Sequence, residues 1–144
     1  MQFDPNNPII QLCAQGMELE GRGNPEAASQ LFLQAWQEAC DDFEKFTAAH
    51  YVARHQTSVA DKLKWDETAL HLALQINKEE IKSSYPSLYL NIAKGYEDLN
   101  DLENARKNYE LALSFVGFLP EDGYGQLIRG GIGNGLERAK ISMR

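Results

Sequence analysis

The sequence predicts an all-α fold in which about seven helices form a repeated unit. Apolar residues recur at three- and four-residue spacings through most of the chain, which is the period of an amphipathic helix. Sustained alternation of apolar and polar residues, which would indicate strands, is absent from the sequence. A short pattern of small and large side chains also recurs at a nearly constant separation. We therefore expect antiparallel helix pairs that stack in series.

The first four predicted helices are separated by residues that favour helix starts. Asn24 can cap the second helix, and Pro25 loses no hydrogen bond in its first turn. The third helix is expected to extend to about residue 57 and the fourth to about residue 76. The expected starts are, in order, Pro8, Pro25, Asp41 or Asp42, and Ser58 or Asp61.

The last three predicted helices begin near Pro86, after the Asn100-Asp101 turn and after Pro120, with Ser83 or Ser84 before the fifth helix and Glu121 or Asp122 before the seventh. The seventh contains the segment RGGIGNG, whose glycines lower helix propensity and predict a weak point near Gly133-Asn134. Gly131 and Gly135 lie on one helical face, so the segment indicates close helix packing. A nucleotide-binding loop would need a preceding strand, and the sequence offers none.

Three segments carry a pattern of a small residue, a large residue four positions later and an alanine three positions after that. The middle copy is the weakest, because Asp66 takes the place of the small residue. The final alanines, at 35, 73 and 112, are separated by 38 and 39 residues. The three sets are Ala28, Phe32 and Ala35; Asp66, Leu70 and Ala73; and Ala105, Tyr109 and Ala112.

These segments resemble the tetratricopeptide repeat family, most clearly in LYLNIAKGYEDLNDLENARKNYELAL. The spacing exceeds the ~34 residues usual in that family by about one helical turn. The resemblance implies one domain over residues 1–144, an α-solenoid of three helix-turn-helix units at about 8–40, 42–80 and 84–118. A C-terminal capping helix at about 121–142 would close the stack.

The resemblance also implies a non-catalytic protein-interaction module, because first helices in this family line a groove that binds peptides. Arg54 and Lys94 would then form a cationic stripe suited to a peptide with an acidic group and an apolar anchor. Alternatively, these two cations pair with Asp42, Glu97 or Asp98. The groove residues implied are Met17 and Glu20 from the first unit, His50, Tyr51 and Arg54 from the second, and Leu90, Asn91, Lys94 and Glu97 from the third.

Two other functions stay open at this point. A small ligand-binding helical protein or enzyme could use a pocket near His50, Arg54 and the segment Gly130–Gly135. Self-association as a homodimer is the other, because a short repeat array leaves apolar surfaces that a second copy could cover. We expect no catalytic, cofactor or metal residues. His50 and His55 are five apart, which differs from the four-residue spacing that places two ligands on one helical face.

Composition and charge narrow the possible partners and location. The 144 residues carry 14 Lys and Arg against 21 Asp and Glu, a formal net charge of -7, which disfavours nucleic acid. No apolar run approaches the ~18 residues needed to span a bilayer, so we expect no membrane partner. The N-terminal stretch MQFDPNNPII lacks the features of a signal peptide. With only two cysteines, the sequence predicts reduced thiols and a cytoplasmic protein.

Overall fold

The structure, a computed structural model, describes residues 4–142, with side chains up to Lys140. Over these residues it is entirely helical, which confirms the predicted all-α class with seven α-helices. Two short 3₁₀ helices, Glu79–Ser84 and Val116–Phe118, lie in the connections before α5 and α7. The α-helices are α1 (Pro8–Gly21), α2 (Pro25–Glu38), α3 (Asp42–Ala53), α4 (Val59–Leu74), α5 (Tyr85–Asp98), α6 (Leu102–Ser114) and α7 (Gly123–Ser142).

Side-chain caps begin the helices at most of the predicted positions. Asn24 accepts a hydrogen bond from the Ala27 amide at 3.3 Å, and Asp41 accepts one from Glu44 at 2.8 Å. Such bonds satisfy amides that have no partner within the helix. Ser58 and Asp101 cap α4 and α6 in the same way.

Two predicted boundaries differ from the structure. The third helix ends at Ala53, about four residues early, because Ser58 must be extended to cap α4 and the residues between them form the turn. Ser84 makes no side-chain cap bond, because the residues before α5 already form a 3₁₀ helix that leads directly into it. Pro86 lies in the first turn of α5, as expected.

The seventh helix runs unbroken through the glycine-rich segment. Ile128, Ile132 and Ala139 are buried on its inner side, where α7 contacts both α5 and α6. A Cβ on Gly131 would lie 3.1 Å from Leu90, and one on Gly135 would lie 2.2 Å from the ring of Tyr109. The glycines therefore allow close packing, as the sequence predicts, and this packing offsets their low helix propensity.

The chain divides into two compact units, one ending at Ile76 and the other beginning at Asn77. In the first unit α1 packs on α2 and α3, α2 packs on α3, and α3 packs on α4. In the second, α5 packs on α6, and α7 contacts both. The residues of the repeated pattern are buried, apart from the partly buried Leu70: Ala28, Phe32, Ala35, Ala73, Ala105, Tyr109 and Ala112 are fully inaccessible, and Asp66 is 2% exposed.

Candidate functional site

Helices α1 and α3 lie side by side and run in the same direction. Near their starts, the Asn7 side-chain amide donates to Glu44 Oε2 at 2.8 Å. Near their ends, Arg54 and His55 contact the carboxylate of Glu20. Contacts at both ends fix the register of the two helices, and they define the first unit's candidate surface.

The Glu20 carboxylate links the ends of α1 and α3, and we call Glu20, Arg54 and His55 the Glu20 clamp. Arg54 Nη2 donates to Glu20 Oε1 at 2.9 Å, and His55 Nε2 lies 2.7 Å from Oε2. The Arg54 guanidinium also lies 5.2 Å from the centre of the Tyr51 ring. Tyr51 in turn stacks on Phe32 with 5.0 Å between ring centres. These contacts hold Tyr51 and Arg54 in fixed positions.

The second unit contains a matching arrangement, the Glu97 clamp, formed by Glu97, Tyr109 and Arg138. Arg138 donates to both carboxylate oxygens of Glu97, at 2.8 and 3.2 Å, and the Tyr109 hydroxyl donates to Oε1 at 2.6 Å. The hydrogen bond from Arg138 lowers the pKa of the Glu97 carboxyl. Burial, together with the Glu97 bond, raises the pKa of Tyr109 to about 12. The clamp joins α5, α6 and α7.

The two clamps occupy equivalent positions in the repeat. Glu97 follows Glu20 by 77 residues, as Tyr109 follows Phe32, and Arg138 follows Arg54 by 84. In the second unit α7 therefore contacts α5 and α6 as α3 contacts α1 and α2 in the first. His55 and Arg138 were not among the predicted site residues. The signal that could have found them is a glutamate at the same place in two repeats.

The structure places the predicted groove residues on α1 and α3 of the first unit, with Arg54 immediately after α3, and on α5 of the second. Met17 is 46% exposed. Leu90 and Asn91 are partly buried. Arg54 pairs with Glu20 and not with Asp42. Lys94 Nζ lies 2.6 Å from Asp98 Oδ1, the alternative that the sequence left open.

His50 is the most unusual titratable residue of the first unit. It is largely buried against Tyr51, and its Nδ1 atom has no hydrogen-bond partner. Burial lowers the pKa of His50 to about 4, with smaller effects from Arg54 and Lys62. The imidazole is therefore neutral near neutral pH, and its protonation would be opposed by its surroundings.

Asp66 is a buried carboxyl on α4, at a position that holds alanine in the other two copies of the pattern. Its carboxylate accepts a hydrogen bond from Lys62 Nζ at 2.7 Å. Burial raises the pKa of Asp66 despite this partner. Removing water from a carboxylate is costly even when a cation is close. Asp66 therefore lowers the stability of the α3–α4 pair relative to alanine.

Other kinds of site were sought within residues 4–142. No three His, Cys, Asp or Glu side chains among them are arranged to hold a metal ion. None of the described helices is both long and apolar enough to cross a membrane. A surface depression of about 420 Å³ is present in the first unit, lined by Pro25, Glu26, Ser29, Gln30 and His55. It shares His55 with the Glu20 clamp but contains none of the predicted groove residues.

Comparison with known proteins identifies no relative. No protein-family model matches the chain, and no curated protein or solved structure matches it. The resemblance to tetratricopeptide repeats therefore rests on the sequence pattern.

Proposed function

We propose that this chain is a non-catalytic protein-interaction module of the tetratricopeptide-repeat type. Its primary binding surface is the α1–α3 pair of the first unit. The observation that carries the proposal is the preorganisation of this surface. Tyr51 is fixed by stacking on Phe32, and Arg54 is fixed by Glu20. A surface that is already ordered loses little conformational entropy when a partner binds.

The exposed chemistry of the α1–α3 pair suits a peptide or helical segment. Met17, at 46% exposure, offers a flexible apolar side chain of the kind that adapts to varied partners. Arg54 keeps 44% of its side chain exposed while it is bound to Glu20. The corresponding face of α5, with Leu90, Asn91, Lys94 and Glu97, is a second candidate surface. The free thiols of Cys13 and Cys40 support a cytoplasmic location.

The test is a selection of peptides of about 16 residues from a random displayed library against the full-length chain. Each enriched peptide is then measured by fluorescence anisotropy against the wild type and two variants. Met17→Ser removes the apolar anchor from α1. Leu33→Ser removes a similarly exposed side chain (39%) from α2 and is the matched control.

We expect Met17→Ser to weaken binding at least ~10-fold and Leu33→Ser to change it less than ~2-fold, since one buried apolar anchor contributes 1–3 kcal/mol. Amide chemical-shift changes should concentrate on α1 and α3. Failure to enrich any peptide, or binding that both variants retain, would show that the α1–α3 surface is not a peptide site.

A further inference from the structure

We infer that the segment bound by the α1–α3 surface is cationic and amphipathic, not acidic; this rests on the proposed function. The cations that would attract an acidic peptide are already neutralised. Arg54 donates to Glu20 at 2.9 Å, and Lys94 lies 2.6 Å from Asp98. An acidic ligand would have to displace a carboxylate of the protein itself to reach either cation.

The remaining charge of the first unit is strongly negative. Residues 4–76 contain five Lys and Arg and eleven Asp and Glu, so the formal charge is 5 − 11 = −6. Three of the five cations are in ion pairs, Arg22 with Glu18, Arg54 with Glu20 and Lys62 with Asp66. Two lysines, Lys45 and Lys64, are then left against eight other carboxylates. A field of this sign accelerates the approach of a cationic segment and opposes an anionic one.

The helix ends add to this field at the candidate surface. Because α1 and α3 are parallel, their C-terminal ends lie together at the Glu20 clamp. The C-terminal end of a helix carries a partial negative charge from its unpaired carbonyls. No basic residue lies in the last turn of α1, so this charge is not compensated within the helix.

Glu18 is the carboxylate best placed to receive a cation beside the apolar anchor. It follows Met17 directly, and its side chain is 60% exposed. Its pair with Arg22 lies within one helix surface, where solvent screens ion pairs and leaves them worth little. A lysine or arginine of the partner can therefore replace Arg22 at small cost, while an apolar side chain of the partner covers Met17.

The peptides enriched by the selection described above test this inference directly. We expect them to carry a net positive charge with at least one large apolar residue. Affinity for the wild type should fall at least ~3-fold as the salt concentration rises from about 50 to about 200 mM. Glu18→Gln should weaken binding ~3-fold or more, while Glu38→Gln, which removes the same charge from the end of α2, should change it less than ~2-fold.

The outcomes separate this inference from the proposed function. Enriched peptides with a net negative charge that still require Met17 would overturn the charge inference and leave the module intact. Cationic peptides that bind Glu18→Gln and Glu38→Gln equally well would show diffuse attraction without a site at Glu18, which also overturns it. If no enriched peptide depends on Met17, the proposed function itself is wrong.

Discussion

The contact between Gly135 and Tyr109 gives the sharpest test of the second unit. A Cβ at Gly135 would lie 2.2 and 2.3 Å from two ring carbons of Tyr109, well inside any observed carbon–carbon contact. Tyr109 is fully buried, and its hydroxyl donates to Glu97 and accepts from Arg138. The ring cannot move aside without breaking the Glu97 clamp. Gly135→Ala therefore forces either a shift of α7 or the loss of these hydrogen bonds.

The expected cost follows from two opposing effects. Overpacking a filled interior costs ~1–3 kcal/mol. Loss of a hydrogen bond to a charged group adds ~1.5 kcal/mol or more. Alanine recovers at most ~1 kcal/mol of helix propensity relative to glycine. We expect Gly135→Ala to lower the free energy of unfolding by about 2 kcal/mol, the balance of these values.

Gly133 supplies the matched control on the same helix. A Cβ there would meet no atom within 4 Å, so Gly133→Ala should raise the stability by ~0.5–1 kcal/mol through propensity alone. Urea unfolding of the wild type and the two variants, followed by far-ultraviolet circular dichroism, measures both changes. If Gly135→Ala proved as stable as Gly133→Ala, the packing of α7 against Tyr109 would be wrong.

Three further predictions concern the first unit. Gly16→Ala should destabilise it by ~1–3 kcal/mol, because the new methyl group would lie 2.4 Å from the ring of Phe32, while Gly21→Ala, which meets nothing within 4 Å, should not; urea midpoints distinguish the pair. The pKa of His50 falls from 6.5 to about 4 on folding, so the folded chain binds fewer protons, and its stability should fall by up to ~3 kcal/mol as the pH drops through that window. The same measurement on His50→Gln should lack this component; an identical pH dependence would contradict the buried neutral state. Asp66→Ala should leave stability near neutral pH unchanged or raise it by up to ~2 kcal/mol, since it removes a buried carboxylate and frees the partly exposed Lys62, and a loss above ~1 kcal/mol would show that the ion pair is a net gain.

The sequence predicts most features that depend on neighbouring residues. The caps at Asn24, Asp41 and Asp101 are local signals, because each side chain bonds an amide three residues ahead. The repeated small and large positions are equally legible, and the structure buries them. The end of α3 is less predictable, because the apolar pattern continues into residues that the turn to α4 requires.

The partners of the candidate site residues could not be predicted in the same way. Arg54 has acidic neighbours in sequence, but its partner Glu20 is 34 residues away and becomes adjacent only through the register of α1 against α3. Glu97 and Arg138 are 41 residues apart, and their pairing depends on α7 packing against α5. The continuity of α7 has the same origin, because contacts with Leu90 and Tyr109 outweigh the local preference of glycine.

The two clamps change what counts as an exchangeable building block in this chain. Each clamp takes its carboxylate from one helix pair and its arginine from the helix after that pair. A chain cut before Gly123 would retain Glu97 and Tyr109 but lose Arg138, leaving a mostly buried carboxylate without its cation. Transplanting or duplicating a piece of this protein would therefore require three consecutive helices, because two complete the repeat pattern but not its electrostatics.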